Sequence, residues 1–156
     1  MTSATRLLEL QAVIAEYWAS VDRIEDVSRA PQSFYTVTGE MAIDSLKVSG
    51  RDELEAFFSA RTEREIANRR TTRHLAGNFR MHDDSDDRAT IVTLVLVYSG
   101  CGDWPLTSAP PSAVGDFSFR CLRDPVHGWR FESVVGTSVF IGDGAPNFAR
   151  RTDSGS

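Results

Sequence analysis

The feature that most constrains the fold of this chain is a change in the spacing of its apolar residues at about Thr71. Before it, Leu7, Leu10, Ile14, Tyr17, Val21 and Ile24 recur at three- and four-residue intervals, with Glu9, Glu16 and Arg23 opposite. That is one face of a helix of five or six turns, ending near Ser28 because Pro31 disfavours helical geometry at Ala30. After it the period falls to two, and strands are expected over Thr71–His82, Ala89–Ser99, Gly115–Arg123 and Trp129–Phe140.

Between these regions the signals are shorter. A helical or turn segment runs through Phe34, and Thr36–Asp44 reads as a hairpin or a bulged strand around Gly39. Ser49-Gly50-Arg51-Asp52 reads as the start of a helix that turns Leu54, Phe57, Phe58 and Ile66 inward. Asp83–Asp87 and Asp124–Gly128 have the composition of hairpin turns. Gly100–Val114, with three prolines, Trp104 and Leu106, is a long loop of the kind that forms lids or binding edges.

Helices followed by a meandering sheet make an α+β domain: a cone-shaped, curved antiparallel or mixed sheet with the N-terminal helices on its concave face. Residues 1–149 are expected to form this single domain and 150–156 a frayed tail. Ile91–Val97 is apolar on both alternating faces, so one side lines the interior and the other needs a cover. A homodimer or higher homo-oligomer through the sheet would supply one.

Charge and motifs narrow the function. The net charge is −5, which argues against nucleic acid as a partner. Arg61, Arg64, Arg69, Arg70 and Arg73 cluster, but Glu63 and Glu65 interleave with them, as on a solvated helix end and strand start. Ile91–Val97 is too short to span a bilayer, and the N-terminus carries no apolar leader, so a cytoplasmic protein without a membrane partner is expected. Cys101 and Cys121 are too few for a disulfide framework, although a single pairing stays open. His74, His82 and His127 lack metal-ligand spacing with the cysteines, and no dinucleotide, phosphate-loop or nucleophile-elbow motif occurs. No metal or cofactor is therefore expected.

Several stretches in order along the chain resemble the SnoaL-like group of the nuclear-transport-factor-2-like superfamily. They are Tyr17-Trp18-Ala19-Ser20-Val21-Asp22-Arg23 at the first helix end, the helix opening at Gly50, Thr72-Arg73-His74-Leu75-Ala76-Gly77-Asn78, and Gly128-Trp129-Arg130-Phe131-Glu132. The resemblance implies a cystatin-like α+β barrel around a cofactor-free pocket for a small apolar or aromatic molecule. That group includes polyketide cyclases, scytalone-dehydratase-like lyases, isomerases and non-catalytic subunits, so the fold does not fix the function.

Asp22 borders the apolar stripe one turn past Trp18, where desolvation would raise the basicity of its carboxylate. His74 shares a strand face with Ala76 and Asn78. The resemblance implies an acid–base pair in which Asp22 holds the His74 imidazole in one tautomer and the imidazole moves the substrate proton. The lyases add a tyrosine beside the aspartate and a second histidine on the next strand. Here Val21 precedes Asp22, and Ala89–Ser99 has no histidine. Trp18, Tyr35, Phe58, Asn78 and Tyr98 are candidates to line the pocket, each with an ordinary core role as the alternative. Two functions follow as expectations: a cofactor-independent lyase or isomerase acting on a small apolar cyclic or aromatic compound, or a non-catalytic ligand-binding or subunit-type module.

Overall fold

A computed structural model describes residues 2–23, 29–83 and 85–149, apart from the side chain of Asp83. Two helices pack on one side of a curved, six-stranded mixed sheet. Helix α1 spans Ser3–Asp22 and α2 spans Arg51–Ala67, with a 3-10 turn at Pro31–Phe34. The strands are β1 (Tyr35–Ile43), β2 (Leu46–Ser49), β3 (Arg70–Asp83), β4 (Arg88–Cys101), β5 (Ala113–Asp124) and β6 (Gly128–Ile141). The four long strands lie where the period of two placed them, within two residues at each end. The sheet order is β2-β1-β6-β5-β4-β3, with β1 and β6 parallel and every other neighbouring pair antiparallel. Strands β2 and β3 remain free edges, so the expected barrel is an unclosed sheet.

The core lies between α1 and the inward residues of the sheet. Leu10, Ile14, Tyr17, Trp18 and Val21 on α1 meet Phe117 and Phe119 on β5 and Phe131 and Val134 on β6, all buried. Helix α2 contributes Leu54 and Phe58, but Ile66, expected inward, is 56% exposed. The Thr2 hydroxyl caps α1 by accepting from the Thr5 N–H at 3.2 Å. Gly50 precedes α2 at φ 79°, a left-handed conformation that glycine adopts without strain. The N-cap is Gly50, one residue later than the Ser49 with Asp52 that the sequence suggested: no side chain caps the helix, and it is the Glu53 carboxylate that accepts from the Ser49 N–H, at 2.9 Å.

Helix α1 stops at Asp22, earlier than periodicity suggested, because Arg23 leaves helical geometry at φ −102° and ψ 70°. Ile24 and Ser28 lie outside the described residues, as do Asp84 in the β3–β4 turn and the tail 150–156. Strand β1 is bulged against β6 between Tyr35 and Glu40, as its glycine suggested. A Cβ on Gly39 would lie 2.9 Å from the Phe131 carbonyl oxygen, so the close approach of β1 to β6 requires glycine. In the β5–β6 turn the Asp124 carboxylate accepts from the Val126 and His127 N–H groups, both at 2.8 Å. Both cysteines are free thiols, Cys101 exposed and Cys121 buried. No helix among the described residues is long and apolar enough to cross a membrane.

Candidate functional site

The site is built at the carboxyl end of α1, where the helix leaves backbone carbonyls without intrahelical donors. No basic residue lies in the last turn of α1, and arginines from other elements satisfy those carbonyls instead. Arg61 on α2 donates from Nη1 to the Val21 carbonyl at 2.7 Å, and Arg73 on β3 from Nη1 to the Asp22 carbonyl at 3.4 Å. The helix end is thereby fixed against both α2 and β3.

The Asp22 carboxylate, 5% exposed, turns toward β3. Its Oδ2 accepts from the His74 backbone N–H at 2.6 Å, and its Oδ1 lies 2.5 Å from His74 Nδ1. Because a carboxylate only accepts, Nδ1 carries a proton, and in the neutral imidazole Nε2 keeps its lone pair. Trp18 lies flat on the imidazole, with centroids 4.2 Å apart and 11° between planes. One face of the ring is thus covered and its rotation blocked, while Nε2 makes no hydrogen bond among the described residues.

His74 opens onto a cavity of about 420 Å³, within the range of small-molecule sites. Tyr17, Trp18, Val21, Phe58, Phe117 and Val97 form its apolar wall. Asp22 is not part of the lining: it stands behind His74, holding it. Of the other expected pocket residues, Trp18 and Phe58 line the cavity, whereas Tyr35, Asn78 and Tyr98 do not.

Each of those three has a physical reason. Tyr35 is fully buried, its hydroxyl 2.9 Å from that of Tyr17, and it is Tyr17 that meets the cavity. Asn78 falls at a β-bulge, where the register with β4 shifts between Gly77 and Arg80, and its φ of 54° is left-handed. The bulge reverses the alternation begun at His74, so Phe79 packs on the core and Asn78 is exposed. Tyr98 follows Val97, the register partner of His74, and therefore points to the outer face of the sheet.

Two features of the site escaped the sequence. The expected edge, Gly100–Val114, supplies only Ala113 to the lining, and Trp104 is 69% exposed, its Nε1 donating to the Thr71 hydroxyl at 2.7 Å. The chain after β6 takes its place, with residues 145–149 lining the cavity. The Phe148 carbonyl anchors this segment by accepting from the Ser45 hydroxyl at 3.1 Å. Nor is the arginine cluster merely a solvated helix end, because Arg61, Arg64 and Arg70 all line the cavity. The Arg61 side chain is only 14% exposed.

Burial pushes the Tyr17 phenol up to about 12, with the Tyr35 hydrogen bond and the Arg61 charge opposing the rise. It also raises Tyr35 well above the ordinary tyrosine value, helped by its neighbour Tyr17. Both phenols are therefore neutral near pH 7. Among the described residues no group of three or more histidine, cysteine, aspartate or glutamate side chains could hold a metal ion.

No family model and no curated protein sequence matches the chain. Solved structures do. A nuclear-transport-factor-2-like protein with a cystatin-like fold from Novosphingobium aromaticivorans aligns at TM-score 0.67 and 20% identity, over 92% of this chain and 88% of its own. A protein from the same organism, provisionally named a scytalone dehydratase, aligns at TM-score 0.71 and 15% identity, over 99% and 100%. ActVI-ORFA from Streptomyces coelicolor aligns at TM-score 0.67 and 15% identity, over 85% and 96%. The expected resemblance therefore holds at the level of the fold: the chain shares the cystatin-like architecture of the first of these structures, and the other two align with it over most of its length.

Proposed function

We propose that this protein is a cofactor-independent lyase or isomerase that moves a proton on a small, largely apolar cyclic or aromatic compound, with His74 as the catalytic residue and Asp22 as its positioning residue. One observation carries the reading: an imidazole whose Nδ1 is held by a buried carboxylate lines a largely apolar cavity, and its Nε2 makes no hydrogen bond among the described residues. In such a cavity Nε2 takes a proton from substrate carbon. The Asp22 carboxylate stabilises the resulting imidazolium, which returns the proton to a neighbouring atom or to a departing hydroxyl. The name of one structural neighbour, a scytalone dehydratase, is consistent with chemistry of this class.

The test is turnover of hydroxylated aromatic compounds and cyclic ketones in deuterated water, followed by NMR. Product formation or deuterium incorporation that falls by about a hundredfold or more in His74→Gln and in Asp22→Asn supports the assignment. Full activity in the folded His74→Gln protein overturns it. Binding without turnover or exchange across the panel favours a ligand-binding module instead.

We also infer that the outer face of the sheet pairs with a second copy of this chain. Leu75, Leu96, Val114 and Phe140 are consecutive register partners from β3 to β6 and share that face, with Leu75 61% and Phe140 68% exposed. The same face carries Arg80 and Asp116, opposite charges that two copies can set against each other.

A further inference from the structure

We propose that the molecule held in this cavity carries a carboxylate on its apolar ring system, and that Arg64 at the cavity's charged side is the residue that selects it. This rests on the reading of the cavity as a small-molecule site, and names the class of molecule.

The charge of the lining is opposite to that of the protein. The chain has a net charge of −5, yet three arginines, Arg61, Arg64 and Arg70, line the cavity against one acidic residue, Glu65. Glu65 is already engaged. Its Oε2 accepts from the Thr72 hydroxyl at 2.9 Å and lies 3.9 Å from Arg61 Nη2, and its Oε1 lies 3.6 Å from Arg70 Nε. The carboxylate, with a side chain 13% exposed, is thus neutralised twice over and offers nothing to a cationic ligand.

Two of the arginines are engaged as well. Arg61 holds the Val21 carbonyl, and Arg70 donates to the Ser99 hydroxyl at 2.9 Å and to the Gly144 carbonyl. Arg64 is different: its guanidinium makes no hydrogen bond or ion pair among the described residues, although it lines the cavity. It stands three residues after Arg61, on the same side of α2, and the cavity also takes Phe57 and Phe58 from the turns before. Helix α2 therefore presents an aromatic wall followed by an uncommitted cation. A flat apolar body ending in a carboxylate matches that sequence of surfaces, and guanidinium pairs with carboxylate through two parallel hydrogen bonds.

The experiment is isothermal titration calorimetry on the full chain with naphthoate and with the neutral naphthylmethanol of similar shape. Wild-type protein is expected to prefer naphthoate by about tenfold, and the preference should shrink as salt rises from about 20 to about 300 mM. Arg64→Gln, at an exposed position with no partner to lose, should bring the two probes within about threefold without weakening naphthylmethanol, and Arg64→Glu should reverse the order. Equal or tighter binding of the neutral probe by wild-type protein overturns the carboxylate proposal and leaves the cavity reading standing. A preference that survives both Arg64 substitutions, or that ignores salt, overturns the role of Arg64. Failure of both probes to bind at about 1 mM defeats the cavity reading together with this one.

Discussion

The Asp22 carboxylate grips His74 twice, through the backbone N–H at 2.6 Å and through Nδ1 at 2.5 Å. One contact fixes where β3 begins relative to α1, and the other fixes the tautomer of the side chain. A single residue thus ties the main helix to the sheet and sets the chemistry of the imidazole.

The tautomer is directly observable. Nitrogen-15 NMR of the wild-type protein should show the neutral His74 ring protonated at Nδ1 and unprotonated at Nε2. Asp22→Asn, with an amide in place of the acceptor-only carboxylate, should lose that fixed tautomer and give a mixture. An unchanged His74 spectrum in Asp22→Asn would remove the positioning role of the carboxylate.

The buried phenol pair predicts how the protein responds to alkali. Burial raises Tyr17 from 10.0 to about 12, so the folded protein keeps a proton that the unfolded chain releases above pH 10. Stability from this group is whole below pH 10 and declines as the pH climbs toward 12, by at most about 1.4 kcal/mol per pH unit. Urea unfolding should therefore show a lower midpoint at about pH 11 than at about pH 8. Tyr17→Phe should flatten the decline without abolishing it, because Tyr35 is also raised. An equally steep decline in Tyr17→Phe would show that other groups govern it.

Much of this architecture was legible in the sequence because period is a local property. The long strands and the inward face of α1 followed from spacing, and the Asp22–His74 pair was suggested by family resemblance. The arginines and the closing segment were not legible, because Arg61 acts on a carbonyl 40 residues away and residues 145–149 follow the last strand without periodicity. Asn78 and Tyr98 were misplaced for different reasons. A one-residue bulge inverts the face of every following residue, and no motif announced the one at Asn78. Tyr98 shares a face with Leu94 and Leu96, but because the strand is apolar on both faces its spacing does not say which of them turns inward.

Gly136 tests how closely the cavity wall is packed. A Cβ there would lie 2.6 Å from Cε1 of Phe117, whose ring meets Trp18 edge-on and faces the cavity. Gly136→Ala should destabilise the fold by about 1–3 kcal/mol and push the Phe117 ring from its position. Thermal melting reports the first effect, and weaker binding of any cavity ligand reports the second. A melting temperature and affinity equal to wild type would show that the wall yields freely.

Association through the outer face is checked by sedimentation velocity. Wild-type protein at about 50 µM should sediment as a dimer, and Leu75→Glu or Phe140→Glu as a monomer with an unchanged circular dichroism spectrum. A monomeric wild type at that concentration would leave the row without a partner copy.

The parallel ladder between β1 and β6 sets Tyr35 beside Phe131, with four strands and helix α2 of chain in between. Strands β3 to β6 can assemble by successive local pairings, but β1 must wait until β6 has been laid down. This long-range closure costs chain entropy before any burial offsets it, so it is slower than the local hairpin pairings. Until it occurs, β6 presents an unpaired edge, and premature association through that edge is the hazard the topology carries.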